Sequence, residues 1–381
     1  MTEPAAALSA TATEGEIMLD LHTPATGDPR PVYVAGNFNN WQAGEDGYRM
    51  KELGPGHYRL SFALPAGMAP HLMEYKYMRG GWEAAELDEY GNATPNRQLP
   101  FRRYQAKDKV PRWNNSGVFY NTALLPTPFI LSEHFEIPQL IRTRRISVLL
   151  PHNYHQTTQA YPVLYLQDGQ NLFDDYAPFG SWGVDKRLAL LAERGHGDII
   201  IVAIDHAEEQ RIAEFTPSYR TRLGRGDGKK YVRFLAETLK PYIDQRFRTL
   251  QGPEHTGIGG SSMGGLISIY AGLMFPAVYG RLMIFSPSLW VSPNIPFHAL
   301  NFSEAYEGRI YLYGGGEEGA TMLPNLQRFK AEMERRGGRI NVEFELSFDP
   351  KGRHNEARWG QEFPRAVEWL FFQDSMMQQQ N

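Results

Sequence analysis

The stretch HTGIGGSSMGGLISIYAGLMF, residues 255–275, sets a short glycine-rich run against a dense apolar one. The pattern G-x-S-x-G fits at Gly260, Ser262 and Gly264, and fails for Ser261 because position 263 is Met. HTGIGG reads as a short strand and LISIYAGLMF as a buried helix, so the serine falls on the turn between them. In a nucleophile elbow that turn strains the serine backbone and exposes its hydroxyl, while the flanking glycines let strand and helix approach. The bland alternative is a glycine-rich helix N-terminus or anion nest without chemistry. A phosphate loop is disfavoured, because no Gly-Lys-Ser/Thr follows the glycines.

Around this turn, from Leu131 onward, continuous apolar runs recur: RRISVLL (144–150), PVLYLQ (162–167), DIIIVAID (198–205), RLMIFS (281–286), RIYLYG (309–314) and NVEFELSF (341–348). Helical stretches lie between them, notably KKYVRFLAETLKPYIDQRF and LPNLQRFKAEMERRGG. Strands buried on both faces and alternating with helices predict an α/β layer fold with a mostly parallel sheet over 129–375. Ligands of such sheets bind outside the carboxyl ends of the strands, so chemistry is expected in the loops that follow them.

The preceding part has a different period. From about Gly15 to Arg103, apolar residues alternate in short runs, such as Ile17, Leu19 and Leu21 or Tyr58, Leu60, Phe62 and Leu64, separated by clusters like GNFNN and LGPGH. This predicts a small all-β, immunoglobulin-like antiparallel sandwich over 15–103. Residues 104–128 lose the periodicity and read as a linker, 1–14 as a disordered N-terminus and 376–381 as a frayed tail.

Composition narrows the function classes. The 381 residues are 42% hydrophobic and 22% charged with a formal net charge of −4, which does not suggest a nucleic-acid partner. The absence of cysteine excludes disulfides, thiolate metal sites and cysteine nucleophiles together. The N-terminal MTEPAAALSATATEGE lacks a positive n-region and an apolar h-region, and no apolar stretch reaches the ~18 residues of a membrane span. A cytoplasmic protein without a membrane partner is expected, and the triplets at Asn92, Asn114 and Asn301 are then coincidental. His152 and His155 have a spacing found in some metal sites but no third ligand nearby, so no metal is expected. The basic run YRTRLGRGDGKK reads as a solvated loop.

A serine nucleophile needs a base, and the base needs an acid. In this fold the chain order is Ser, acid, His. Only His298 and His354 follow Ser262, and no Asp or Glu separates Ser262 from His298, which leaves His354. His354 follows NVEFELSF through the turn DPKGR, at the carboxyl end of a strand. Acids that follow a strand end are Glu317 and Glu318, in GGGEEG, and Asp349. An oxyanion hole would take the backbone N–H of Met263 and, from the loop DGQNLF, that of Gln170, with Gly169 permitting a tight turn. Trp182, Phe285 and Trp290 are candidate pocket walls.

With these residues in view, residues 130–373 resemble the putative-esterase branch of the α/β-hydrolases, which includes enterochelin, feruloyl and acetyl-xylan esterases and mycolyltransferases. The motifs that carry the resemblance are YPVLYLQDGQNLF, SWGVDKRLALL, IVAIDH followed by RIAEFTP, GIGGSSMGG, FSPSLW, IYLYGGGEEG and HNEARWGQEFPRAVEWL. The resemblance implies a serine esterase with Ser262, Glu318 and His354 as its triad. Arg211, in RIAEFTP, is a further candidate for substrate binding. VYVAGNFNNW and YKYMRGGW resemble the glycogen-binding type of carbohydrate-binding module and the N-terminal early-set domain of enterochelin esterases. In sugar-binding members the positions matching Trp41, Lys76 and Trp82 contact glucan rings, whereas other members use the domain structurally.

The expectation is a serine carboxylic-ester hydrolase acting through an acyl-enzyme on an ester of a siderophore, a sugar or a small acyl compound, without a cofactor. Alternatives are an acyltransferase with the same triad, or a carbohydrate-binding protein with a degenerate esterase domain. The sequence is silent on oligomeric state.

Overall fold

The computed structural model describes residues 16–100, 103–298, 306–335 and 340–373. The segments expected to be disordered at 1–14 and frayed at 376–381 lie outside the described residues, as does Asn301. The chain divides into two compact units, Met1–Tyr120 and Asn121–Asn381.

The first unit is all β. Its strands are β1 (Glu16–His22), β2 (Val32–Gly36), β3 (Lys51–Gly54), β4 (His57–Ala63), β5 (Glu74–Arg79), β6 (Glu86–Leu87), β7 (Arg97–Gln98), β8 (Gln105–Lys109) and β9 (Arg112–Trp113). They form sheets of order β3-β4-β1-β8 and β2-β5-β7 and a small β6-β9 pair. Alternation turns Ile17, Leu19 and Leu21 of β1 inward, where they meet Val32 and Val34 of β2 and Tyr75 and Tyr77 of β5 in one core. The two buried tyrosines stay satisfied because both hydroxyls donate to Asp108 Oδ2, at 2.8 and 2.7 Å.

Two details differ from the sequence reading. β8 pairs with β1 in parallel, so the larger sheet is not purely antiparallel. Residues 105–113, placed in the linker, form β8 and β9.

The second unit is built on β10 (Phe129–Ile137), β11 (Arg142–Leu149), β12 (Val163–Gln167), β13 (Ile200–Ile204), β14 (Thr256–Ser261), β15 (Arg281–Phe285), β16 (Tyr306–Gly315) and β17 (Ile340–Asp349). Among the described residues the sheet order is β10-β11-β13-β12-β14-β15-β16-β17. Every pairing from β13 to β17 is parallel, and only the β10-β11-β13 edge is antiparallel. The helices are α1 (Val184–Glu193), α2 (Arg211–Phe215), α3 (Gly228–Phe234), α4 (Lys240–Arg246), α5 (Met263–Met274), α6 (Ile295–His298), α7 (Met322–Glu334) and α8 (Glu356–Val367). A π turn at Leu235–Leu239 joins α3 to α4. The fold class read from the sequence is observed: a mostly parallel α/β sheet preceded by an all-β region.

The central strands are buried along their whole length, which is why they read as unbroken apolar runs. The carboxyl ends of β12, β14, β15, β16 and β17 lead into five loops, which carry Asp168, Ser262, Ser286, Glu318 and His354 in turn.

Candidate active site

Ser262 sits between β14 and α5 with φ 56° and ψ −121°, a conformation that costs a non-glycine residue about 1–3 kcal/mol. The turn is held from both sides. Ser262 N–H donates to Phe285 O at 3.0 Å, and Ser288 N–H donates to Ser262 O at 3.0 Å. Ser261 is the last residue of β14 and is buried, paired with Phe285. The glycines of the pattern serve close approach. A Cβ on Gly260 would meet Gln167 Cβ and Gly264 C at 3.0 Å each, and one on Gly264 would meet Asp168 Oδ2 at 2.9 Å.

His354 follows β17, and its Nδ1 lies 2.6 Å from Glu318 Oε2. The Glu318 side chain is 1% exposed. Its other oxygen accepts from Gly315 N–H and Ser286 Oγ–H, at 2.7 Å each. With both donors on Oε1, the carboxylate's Oε2 accepts from His354 Nδ1–H, which leaves Nε2 as the imidazole's acceptor. The other two acids are engaged elsewhere. Glu317 accepts from Arg353 Nε at 2.7 Å, and Asp349 accepts from Arg358 Nε at 2.8 Å. Burial alone would raise the Asp349 carboxyl, but Arg358 holds it below its usual range.

Among the described residues the serine and the imidazole are not hydrogen-bonded to each other. Ser262 Oγ lies 3.4 Å from Ser288 Oγ. The segment Ser286–Ser288 touches both ends of the site. It flanks Ser262, and Ser286 Oγ also accepts from Trp359 Nε1–H at 2.9 Å. The Trp359 ring stands edge-on to His354, with centroids 4.8 Å apart.

Met263 N–H and Gln170 N–H belong to first turns, where amides have no acceptor within their own helix. The Gln170 side chain is tied twice to His206, donating to its carbonyl at 3.1 Å and accepting from its N–H at 3.0 Å. Asp168, rather than Gly169, takes the left-handed turn, with φ 59°. Gly169 is required for closeness, since a Cβ there would lie 2.6 Å from Asp205 Oδ1.

Arg211 forms a two-pronged pair with Asp168, at 2.6 and 2.8 Å, so its guanidinium is committed to the protein. Glu356 neighbours this pair and His354. Burial pushes its carboxyl above the ordinary value, the Asp168 charge adds to that, and His354 and Arg211 oppose it. Trp182 and Phe285 stack at 5.3 Å in the core, and as they stand neither presents a face to a ligand. Trp290 is half exposed. The basic run lies beside the loop that follows β15, where Arg222 N–H donates to Val291 O at 3.0 Å.

In the first unit, Trp41 and Trp82 lie 6.2 Å apart, tilted by 39°, with Trp82 exposed. Lys76 turns back onto Thr94, bonding its carbonyl and hydroxyl. Burial pushes its ammonium below the usual value.

Sequence reasoning missed Ser286, Ser288 and Glu356 as parts of this site. Ser286 and Ser288 stand within FSPSLW, a motif following a strand end, and that position is the signal that marks them.

A family model described as "putative esterase" matches residues 137–370. Among curated proteins, the uncharacterized protein YbbA of Bacillus subtilis is 23% identical over 241 residues, covering 60% of this chain and 92% of that protein. An alpha-amylase of Niallia circulans is 38% identical over 69 residues, which is 18% of this chain and 5% of the amylase. Among solved structures, an IroE-like serine hydrolase from Shewanella oneidensis aligns with a TM-score of 0.51 at 20% identity, over 65% of this chain and 80% of that one. The enterobactin esterase FES from Shigella flexneri, in the presence of enterobactin, aligns with a TM-score of 0.52 at 15% identity, over 93% and 92%. At these identities the structural likenesses show the fold.

Proposed function

This chain belongs to the putative-esterase family, and we propose that it is a serine carboxylic-ester hydrolase that works through an acyl-enzyme. The observation that carries the proposal is the buried Glu318 carboxylate, 2.6 Å from His354 Nδ1, at the same sheet end as the strained Ser262. Ser262 Oγ attacks the ester carbonyl carbon as His354 Nε2 takes its proton, and Glu318 stabilises the imidazolium that forms. Met263 and Gln170 N–H groups donate to the oxyanion. His354 returns the proton to the departing alcohol. Water, activated by the same imidazole, then releases the acid and restores Ser262. The mechanism requires the contact between Ser262 and His354 to form in the substrate complex. Such bonds are often long before substrate binds.

The substrate proposed is an ester of a catecholate siderophore, an acylated sugar or a small acyl group. Ser262→Ala should abolish hydrolysis of an aryl ester and labelling by a fluorophosphonate, with the melting temperature retained. Hydrolysis by the folded variant at the wild-type rate rejects the mechanism. A panel of acetylated sugars, feruloylated sugars and a catecholate trilactone separates the substrate classes.

A second reading concerns the first unit. The neighbouring rings of Trp41 and Trp82 supply an aromatic surface of the kind that sugar rings stack on. Glucan affinity lost in Trp82→Ala supports a carbohydrate-binding role, and wild-type protein that shows no retention on glucan removes it.

A further inference from the structure

The outer face of β1 and β4 holds a cluster unrelated to ester chemistry. In their antiparallel register His22 faces His57 and Asp20 faces Arg59. Strand alternation puts all four side chains on the face opposite Leu19 and Leu21, and directly opposed residues are the pairs whose side chains meet. Both imidazoles converge on one carboxylate oxygen. His57 Nε2 lies 3.0 Å and His22 Nδ1 3.5 Å from Asp20 Oδ1. The two rings stack with centroids 4.3 Å apart and planes inclined by 16°. One ligand atom from each of Asp20, His22 and His57 falls within 4.8 Å of the others.

Asp20 is anchored beneath the rings. Its side chain is 6% exposed, and Arg59 donates to Oδ2 from Nε at 2.9 Å and from Nη2 at 2.6 Å. That grip leaves Oδ1 as the oxygen turned to the histidines. The His22 side chain is 60% exposed, so one side of the cluster is open to water or another ligand.

The chemistry of the donors selects the ion. Mg2+ and Ca2+ need several oxygen ligands, and here one carboxylate oxygen is on offer beside a neutralising guanidinium. Two imidazoles with one carboxylate suit the borderline divalent ions Zn2+, Ni2+ and Cu2+. Lys107 and Lys109, in register with Asp20 and His22 across β8, add positive charge and further disfavour an ion held by charge alone.

We propose that Asp20, His22 and His57 form a transition-metal site of the Zn2+ class in the first unit, with water completing the coordination and Arg59 orienting the carboxylate from behind. Outer partners of this kind fix a ligand's direction. The site clips β1 to β4, so metal binding stabilises the fold of that unit. The sequence reading weighed His152 and His155, found no third ligand beside them and expected no metal. The signal lay in D-L-H and H-Y-R, whose period-two residues meet only once two strands pair.

The test uses the full-length chain, calorimetric titration with ZnCl2, and the visible absorption of bound Co2+. Expected are one saturable Zn2+ site, a tetrahedral Co2+ spectrum and an upward shift in melting temperature. Binding and spectrum should be lost in the double variant His22→Gln/His57→Gln, whose metal-free melting temperature matches wild type. Either of two results overturns the proposal: no saturable binding by wild type, or an isotherm unchanged in the double variant, which would locate the ion at another histidine.

Discussion

β12 and β14 are neighbours in the sheet, and each hands its chain onward through a non-glycine residue with φ near +60°, Asp168 at 59° and Ser262 at 56°. Their side chains meet opposite fates. Asp168 closes a two-pronged pair with Arg211, whereas among the described residues Ser262 Oγ has only a long contact with Ser288. One strained turn is therefore compensated locally by a charge pair, and the other is held by its backbone and leaves its oxygen available. Backbone strain alone does not mark a reactive group. What distinguishes the two is whether the side chain's bonding capacity has already been used.

The difference has its largest expected effect in the acid. If Glu318 completes the second turn's chemistry, Glu318→Gln should lower kcat on an aryl ester by about 10³–10⁴-fold, the scale seen when a triad acid can no longer fix the imidazole tautomer. Glu317→Gln, which disturbs only an exposed pair with Arg353, should leave kcat unchanged. Equal losses in the two variants would break the assignment.

Next come the two turns themselves. Asp168→Gly relieves strain but strands the Arg211 guanidinium, and a net loss of about 2–3 kcal/mol in denaturant unfolding is expected. Ser262→Gly relieves similar strain and strands nothing, so it should gain up to about 1 kcal/mol while losing activity. Changes of the same sign would show that the contrast between the turns is unreal.

The smallest effect concerns Glu356, beside both the ion pair and His354. Its folded carboxyl sits above the ordinary value of 4.5, chiefly through burial, so the native state holds that proton more tightly than the unfolded chain. Stability contributed by this group is present below 4.5 and falls as pH rises through the raised value. Glu356→Gln should accordingly raise the melting temperature modestly at neutral pH and leave it unchanged under acid conditions. A gain that persists in acid would assign the effect to packing.

Much of the second unit was legible because strands buried on both faces cannot avoid being apolar. Strand β10, FILSEHFEI, was not, since as an edge strand it is largely exposed and carries Ser, Glu and His. β8, QAKDK, is likewise an edge strand, half-buried and without an apolar alternation, its place being fixed by a ladder with β1. For the proposed site, register and chain order pointed to Ser262 and His354. They could not separate Glu317 from Glu318, because a single turn, Gly316–Glu318, decides which carboxylate faces inward. Aromatic content likewise could not tell a pocket wall from core, and Trp182 and Phe285 fill the interior.

The strands that bear the site are not equally protected. Ser262 leaves β14, in the middle of the sheet, while Glu318 and His354 hang from β16 and β17, the last two strands at one border. Sheet borders open at lower free energy than centres. On the proposed mechanism, partial melting would separate Glu318 and His354 from a Ser262 still held in its turn, and hydrolysis would stop while most of the structure persisted.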